Sequence, residues 1–363
     1  MSERGRNGNW LGVLTRAERA VARAAKDRRA QVLMGAAAGG AAALATKAGI
    51  DRLSTRDDGP SRSYRLKRGE GAKQGVRRIA AERTEHALEQ LDCARNGSFA
   101  TGVHEARKDL KKLRSLLRLS RDSLGEKVYR RENERYRGAA RRLSGARDAE
   151  VKLQTLSSLE ERFGDPEGGI AGLRGALAHE RPEEPQGEHL DELESASAEI
   201  AAGRTEIPEW KMKRGGWDLL EPGLRRSYRR GRKGMGRTRD DPSDENVHEW
   251  RKRVKDLWYH LRIVQEARPG VLGEIADRSH EMSDLLGDHH DLAVLADEVR
   301  AREEAFEEVT QRAALLSAIR RRQGQLVADA FEIGEPLYAE KPKAFSGRIE
   351  RYWGAWRGNP LPS

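Results

Sequence analysis

The chain has 363 residues and a formal net charge of +10, from 69 Lys and Arg against 59 Asp and Glu. This length allows one large helical domain or two medium ones, and the positive excess favours anionic partners without selecting one of them. With 35% charged and 5% aromatic residues, and with Ala, Leu, Arg and Glu predominating, the composition favours long amphipathic helices and argues against sheets.

Residues 1–60 differ from the remainder, and we predict that they form an N-terminal appendage. A basic helical pattern covers Arg16–Arg29, an uncharged Ala/Gly-rich run covers Gln31–Thr46, and a chain break follows at Asp57–Pro60. Two adjacent arginines before the Ala/Gly run leave a twin-arginine export signal open as an alternative. The run is short and weakly hydrophobic, so we expect no transmembrane segment.

Helical periodicity dominates the remaining chain, residues 61–363. From Tyr64 to about Glu161, apolar residues recur every three or four positions, and a Gly/Pro/Glu-rich region at Gly164–Pro185 interrupts the pattern. The pattern resumes at His189, so we predict one helical bundle in residues 61–205 and a second in 206–363. Cys93 is the only cysteine and cannot form an internal disulfide, which favours a reducing cytoplasm.

An internal repeat is the most informative feature of the sequence. The segment Val103–Leu119 aligns without a gap with Val247–Ile263, 144 residues later, and 9 of the 17 positions are identical. Both copies begin with Val-His-Glu-x-Arg-Lys. A second pair of similar motifs follows, Leu-Ser-Gly-Ala-Arg-Asp at 143–148 and Leu-Gly-Asp-His-His-Asp at 286–291. The repeat predicts a duplicated arrangement of helical bundles.

Both repeat helices have a basic face opposite an apolar face when plotted at about 100° per residue. An ordinary charged face mixes signs, because like charges four residues apart oppose a helix by a few tenths of a kcal/mol per pair. A row of Lys and Arg instead suits a flexible chain of phosphates. The predicted binding residues are His104, Arg107, Lys108, Lys111, Arg114 and Arg118 in the first copy, and His248, Arg251, Lys252, Lys255 and Arg262 in the second.

Catalytic machinery is not recognisable in the sequence. There is no Gly-rich phosphate loop and no Ser/His/Asp or Cys/His set. His289 and His290 beside two aspartates leave a metal site as an alternative, although adjacent helical residues point about 100° apart and Arg147 replaces His290 in the first half. We predict no metal, no cofactor and no catalytic residue, so the protein is not expected to be an enzyme.

These residues resemble the CHAD family, the conserved histidine α-helical domain. The resemblance rests on Tyr-Arg-Leu-Lys-Arg-Gly-Glu at 64–70, on both Val-His-Glu-x-Arg-Lys helices and on Leu-Leu-Gly-Asp-His-His-Asp at 285–291. It implies an all-α fold of two four-helix bundles, related by pseudo-twofold symmetry around a basic groove or pore that binds inorganic polyphosphate. It also implies polyphosphate contact by the binding residues named above. Further predicted contacts, from the basic character of their helices, are Arg77, Arg78, Arg225, Arg226, Arg229 and Arg230.

The predicted function is non-enzymatic binding of inorganic polyphosphate, in the cytoplasm or at polyphosphate granules. A nucleic-acid-binding module is the first alternative, because a row of phosphates is common to both ligands. Exposed aromatics for base stacking are scarce in both basic faces, which favours the base-free ligand. A granule-associated scaffold attached through Gln31–Thr46 is the second alternative. For the predicted polyphosphate-binding function, we expect the His104 and His248 helices to face each other across one groove.

Overall fold

The computed structural model describes residues 63–144, 148–178 and 187–358. Within these ranges the secondary structure consists of α-helices and four short 3-10 turns, without a β-strand, so the predicted all-α class is confirmed. No helix in the described ranges combines the length and apolar character needed to cross a membrane. The predicted N-terminal appendage lies outside the described residues.

Eleven α-helices occupy the described ranges. They are α1 Ala72–Arg95, α2 Phe99–Leu124, α3 Glu126–Arg142, α4 Asp148–Phe163, α5 Gly169–Ala178, α6 Gly187–Glu206, α7 Gly216–Asp240, α8 Asp244–Val264, α9 Pro269–Ala301, α10 Val309–Leu337 and α11 Pro342–Arg357. Helices α1 and α7 begin 144 residues apart, which is the offset of the repeated motifs. The repeated sequences themselves form α2 and α8.

Helices α1, α2, α3 and α6 pack as a four-helix bundle, in which each helix contacts two neighbours. The apolar stripe predicted for α2 is buried completely, with Ala106, Leu110, Leu113 and Leu117 all at 0% exposure. The spacing of these apolar residues therefore determines which face of α2 enters the core. At the end of α2, Gly125 joins it to α3 with a φ of 82°, a left-handed conformation that suits glycine.

Helices α7 to α10 form the second group, in which α7 packs on α8, α8 on α9 and α9 on α10. Arg239 on α7 donates to Glu335 on α10 at 2.9 Å, so the last helix of this group also contacts the first. The predicted apolar stripe of α8 is buried here through Trp250, Val254 and Leu257, all at 0% exposure. Helix α11 covers α7, and α2 contacts both α7 and α8 across the two halves. A twofold axis relating the halves stays a prediction.

Helices α4 and α5 pack against α9 and α10 and not against the bundle that precedes them in sequence. Leu156 and Leu173 meet Leu295 and Leu315 in a separate apolar core. The physical reason is length: α9 has 33 residues and extends roughly 50 Å, so its apolar C-terminal part projects beyond a bundle of shorter helices and requires cover. Helices α4 and α5, which lie in the segment predicted to form the first bundle, therefore pack with helices of the second half.

Candidate anion-binding site

Helix α7 presents most of the cations of the site, because its opposite side is tightly packed. A Cβ added to Gly223 would lie 2.1 Å from the carbonyl oxygen of Leu119 on α2, and one added to Gly231 would lie 2.1 Å from the hydroxyl of Tyr338. The missing side chains let these neighbours approach the α7 backbone. The arginines and lysines of α7 consequently lie on its remaining, open side.

A cleft of about 790 Å³ lies along α7 and α8. Its lining contains five cations and two carboxylates: Arg229, Arg230, Lys233, Arg237 and Arg253, with Asp240 and Glu249. Gly236 completes the lining. The cleft therefore has an excess of positive charge along a length of helix, as an extended anion requires.

The side chains of the α7 cations in this cleft form no ion pair with the described residues. Within the described ranges, no hydrogen bond or ion pair engages the side chains of Arg229, Arg230, Lys233 or Arg237. Burial, followed by the charges of Arg253 and other nearby arginines, lowers the pKa of Arg230. Their positive charges repel one another, and a bound anion would relieve this repulsion.

The two carboxylates compensate this charge only in part. Glu249 accepts from Lys252 at 2.5 Å and from Arg253 at 3.1 Å, and the hydrogen bond from Lys252 is the main reason that the pKa of Glu249 is lowered. Its negative charge is therefore shared with a lysine outside the cleft. Asp240 is exposed at the end of α7.

A smaller depression shares Arg230 with this cleft and extends it towards α2. It is lined by Arg118, Arg121, Tyr129, Gly223, Arg226, Ser227, Arg230, Asp256 and His260. Arg118 pairs with Asp256 at 2.7 Å, and Arg226 pairs with Asp122 at 2.6 Å. We call the two depressions together the basic cleft, and it combines side chains from both halves of the chain.

In the first repeat, several residues that were predicted to bind the ligand instead contact other groups of the protein. Arg107 donates to the carbonyl oxygens of Leu143 at 2.8 Å and Ser144 at 3.0 Å, where α3 ends. Lys108 pairs with Glu105 at 2.9 Å, and His104 lies 4.0 Å from the same carboxylate. These three side chains lie outside the basic cleft.

The other predicted residues of the first repeat differ in position. Lys111 is exposed but does not line the basic cleft. Arg114 donates to Asn133 at 3.3 Å, and burial, then the charges of Arg118 and Arg137, lower its pKa. Arg118 alone of the first copy lines the basic cleft.

In the second repeat, the predicted residues again lie close to their own half. His248 packs against His290 with ring centroids 4.2 Å apart, and burial lowers the pKa of His248. Arg251 lies over Gly287, since a Cβ added there would be 3.1 Å from its Nη2 atom. Lys252 pairs with Glu249.

Lys255 and Arg262 lie on an aromatic cluster. The Lys255 ammonium is 6.0 Å from the ring centroid of Trp258. The Arg262 guanidinium lies between Trp258 and Tyr64, 5.7 Å and 5.9 Å from their ring centroids. Arg262 is only 6% exposed, so this cation is packed inside the protein.

The contacts of Arg107 and Arg251 connect the two repeated motifs within each half. Arg107 donates to the carbonyl oxygens of Leu143 and Ser144, and Arg251 lies over Gly287, which matches Ser144 when the second motifs are aligned from Leu143 and Leu286. In each half, the arginine of Val-His-Glu-x-Arg-Lys therefore contacts the second motif of that half. A structural role in joining helices explains why the two motifs occur together.

The further arginines predicted from their helices divide into two groups. Arg77 donates to the carbonyl oxygen of Trp210 at 2.6 Å, Arg78 pairs with Glu70 at 2.6 Å, and Arg225 pairs with Glu221 at 3.2 Å. The second group, Arg226, Arg229 and Arg230, lines the basic cleft.

Arg121, Lys233, Arg237 and Arg253 line the cleft but were not among the predicted residues. The repeat concealed Arg253, because Asp109 occupies its position in the first copy. For Lys233 and Arg237, the available signal was the continuation of the α7 basic pattern beyond Arg230.

The first half has acidic or neutral residues at the positions of the cleft cations. Offset by 144 residues, Glu85 corresponds to Arg229 and Glu89 to Lys233. Asp109, which corresponds to Arg253, is buried and bonded to Arg83 at 3.2 Å and to His86 at 2.5 Å. The equivalent region of the first half thus carries an internal ion-pair cluster.

No group of three or more potential metal ligands occurs among the described residues. His289, named above for a metal alternative, is 3% exposed and lies 3.7 Å from Asp244. Arg147, which stands in the first half where the second has His290, lies outside the described residues.

Comparison with known proteins gives one match. The family model of the CHAD domain matches residues 78–300, which include both repeat helices and the helix that supplies most of the cleft cations. No curated protein matches the chain.

Proposed function

The chain belongs to the CHAD domain family, and from the chemistry of its basic cleft we propose that it binds inorganic polyphosphate without altering it. The observation that carries the proposal is the row of α7 cations, Arg229, Arg230, Lys233 and Arg237, whose side chains form no ion pair with the described residues. An anion lying along this row would relieve the repulsion between them. The ligand expected from the family resemblance has this charge and shape.

The dimensions of the row support an extended ligand. From Arg229 to Arg237, α7 rises by eight residues, or roughly 12 Å. The planar guanidinium groups can bind phosphate oxygens in pairs, while Lys233 supplies a mobile point charge. A flexible chain of phosphates can satisfy several of these groups together, whereas a single small anion reaches only a few.

The composition of the lining favours a base-free chain over nucleic acid. No aromatic side chain lines the 790 Å³ part of the cleft along the described helices. Tyr129 lies in the smaller depression, where the Arg121 guanidinium covers its ring at 4.8 Å from the centroid. Bases bound to single strands normally stack on open aromatic faces, so this surface suits phosphates alone.

The proposal includes no hydrolysis or phosphate transfer. Hydrolysis of a phosphate chain requires a positioned nucleophile, commonly aided by a metal ion held by carboxylates. In the cleft, Glu249 is engaged by Lys252 and Arg253. The arrangement supports holding the anion and offers no evident means of activating water.

A competition titration tests the proposal. Labelled long-chain polyphosphate is displaced by unlabelled polyphosphate or by single-stranded RNA at equal phosphate concentration, at several salt concentrations. We expect polyphosphate to compete better at every salt concentration, and its log affinity to fall linearly with log salt as counterions are released. Equal or better competition by RNA would replace the proposal with a nucleic-acid-binding function, and release of orthophosphate would contradict its non-enzymatic part.

A further inference from the structure

Asp256 is the single carboxylate among the described side chains that line the smaller depression of the basic cleft. Its Oδ1 lies 2.7 Å from the Arg118 guanidinium, and its Oδ2 lies 3.5 Å from that of Arg253. The carboxylate side chain is 11% exposed, so water screens these contacts weakly. Asp256 thus ties α8 to one arginine of α2 and to one of its own helix.

Further cations lie within electrostatic reach of this carboxylate. The pKa values of Arg114 and Arg230 are lowered by burial and by neighbouring arginines, and in both cases Asp256 opposes the decrease. Asp256 therefore partly neutralises the α2 end of the basic cleft. At the α7 end, the side chains of Lys233 and Arg237 form no ion pair with any described carboxylate.

The first half has no equivalent of this arrangement. Lys112 stands at the position that corresponds to Asp256 after the 144-residue offset. A carboxylate in the middle of an anion-binding surface weakens binding of every nearby anion, because like charges repel strongly where solvent is partly excluded. Its occurrence among arginines therefore requires a role other than increasing affinity.

On the premise that the proposed function holds, we propose that Asp256 selects for long phosphate chains by competing internally for Arg118 and Arg253. In the empty cleft the carboxylate holds both arginines. A bound chain takes them over through its phosphate oxygens, while its contacts with the α7 cations offset the cost. A short anion at the α2 end cannot reach those cations, so it is rejected.

The test compares Asp256→Asn with the wild-type protein, using tripolyphosphate and long-chain polyphosphate in calorimetric titrations. We expect the variant to bind tripolyphosphate about tenfold more tightly, since one nearby repulsive charge is removed. Long-chain polyphosphate should gain about threefold or less, because most of its contacts lie along α7. Asp277→Asn, an exposed position on α9, makes the same change of net charge outside the cleft and should leave both affinities unchanged.

Three results would overturn the inference while leaving the proposed function intact: no gain for tripolyphosphate, an equal gain for both ligands, or the same gain in Asp277→Asn. Failure of the wild-type protein to bind long-chain polyphosphate would instead remove the proposed function. If Asp256→Asn does not fold, the wild-type protein provides the test through arginine side-chain NMR. The Arg118 Nε–H signal should shift on addition of long-chain polyphosphate, and an unchanged signal in the bound protein would contradict the exchange of partners.

Discussion

At the scale of single residues, His260 illustrates how the contact between the halves depends on a neutral imidazole. Its Nε2 lies 3.0 Å from the carbonyl oxygen of Ser115 on α2, and because a carbonyl can only accept, Nε2 carries the proton. Its Nδ1 lies 3.1 Å from the hydroxyl of Ser227 on α7. Complete burial lowers the pKa of His260 to about 4.

This pKa makes stability depend on pH in a defined direction. The unfolded chain takes up a proton near pH 6.5, well before folded His260 does, so the free energy of unfolding falls as the pH decreases from about 6.5 to about 4. Between pH 7 and pH 5, we expect wild-type protein to lose about 2 kcal/mol more than His260→Gln does. Urea unfolding at both pH values measures this difference, and parallel losses in the two proteins would contradict it.

A substitution of Arg107 distinguishes a structural role of this residue from the ligand contact predicted for it. Arg107→Ala removes the donor to two carbonyl oxygens at the end of α3, so we expect the free energy of unfolding to fall by about 1–2 kcal/mol. Polyphosphate affinity should change by less than about twofold. Arg351→Ala, the same change at an exposed position of α11, serves as the control and should leave the stability unchanged. A large loss of affinity at unchanged stability would restore Arg107 to the binding face.

At the scale of helices, the close approach of α7 to α2 determines the shape of the basic cleft. A Cβ on Gly223 would meet the backbone of Leu119, and a backbone atom cannot rotate away. We therefore expect Gly223→Ala to lower the free energy of unfolding by about 1–3 kcal/mol and to weaken polyphosphate binding by moving Arg226 relative to Arg118.

Gly236→Ala is the matched control on the same helix. A Cβ there meets nothing within 4 Å, and alanine favours a helix interior by roughly 0.5–1 kcal/mol over glycine, so this variant should be more stable. Chemical unfolding of both variants measures the difference. A Gly223→Ala variant as stable as Gly236→Ala would show that α2 and α7 are not in contact as described.

The sequence predicted the helices better than it predicted the cleft, for reasons visible in particular residues. The apolar stripes of α2 and α8 were correct because burial follows a 3.6-residue period that one helix displays by itself. The carbonyl oxygens that Arg107 bonds lie 36 and 37 residues further along the chain, and no local pattern reveals that its guanidinium is occupied. Arg253 was not predicted, because its counterpart in the first copy is Asp109 and the repeat therefore shows no shared cation at this position.

At the scale of the whole molecule, the two halves keep a similar order of helices but differ in charge. The cations of the basic cleft lie on α7 and α8, whereas α1 and α2 carry Glu85, Glu89 and Asp109 at the matching positions. The long α9 and α10 recruit α4 and α5 as cover, which no short-range periodicity in the sequence indicates. The repeated motifs thus lie on helices in similar order, and the difference in charge between the halves places most cations of the basic cleft on α7 and α8.

The affinity of a charge-reversed cleft for long-chain polyphosphate tests the central claim most directly. The variant Arg229→Glu/Lys233→Glu/Arg237→Glu reverses three exposed α7 cations that make no internal ion pair, so the fold should be retained. Its control, Arg268→Glu/Arg320→Glu/Arg351→Glu, makes the same change of net charge at exposed positions outside the cleft. We expect the cleft variant to lose about a hundredfold or more in affinity and to show a shallower salt dependence, while the control loses less than about tenfold. Equal losses in the two folded variants would show that polyphosphate responds to net charge alone and would contradict a site in the basic cleft.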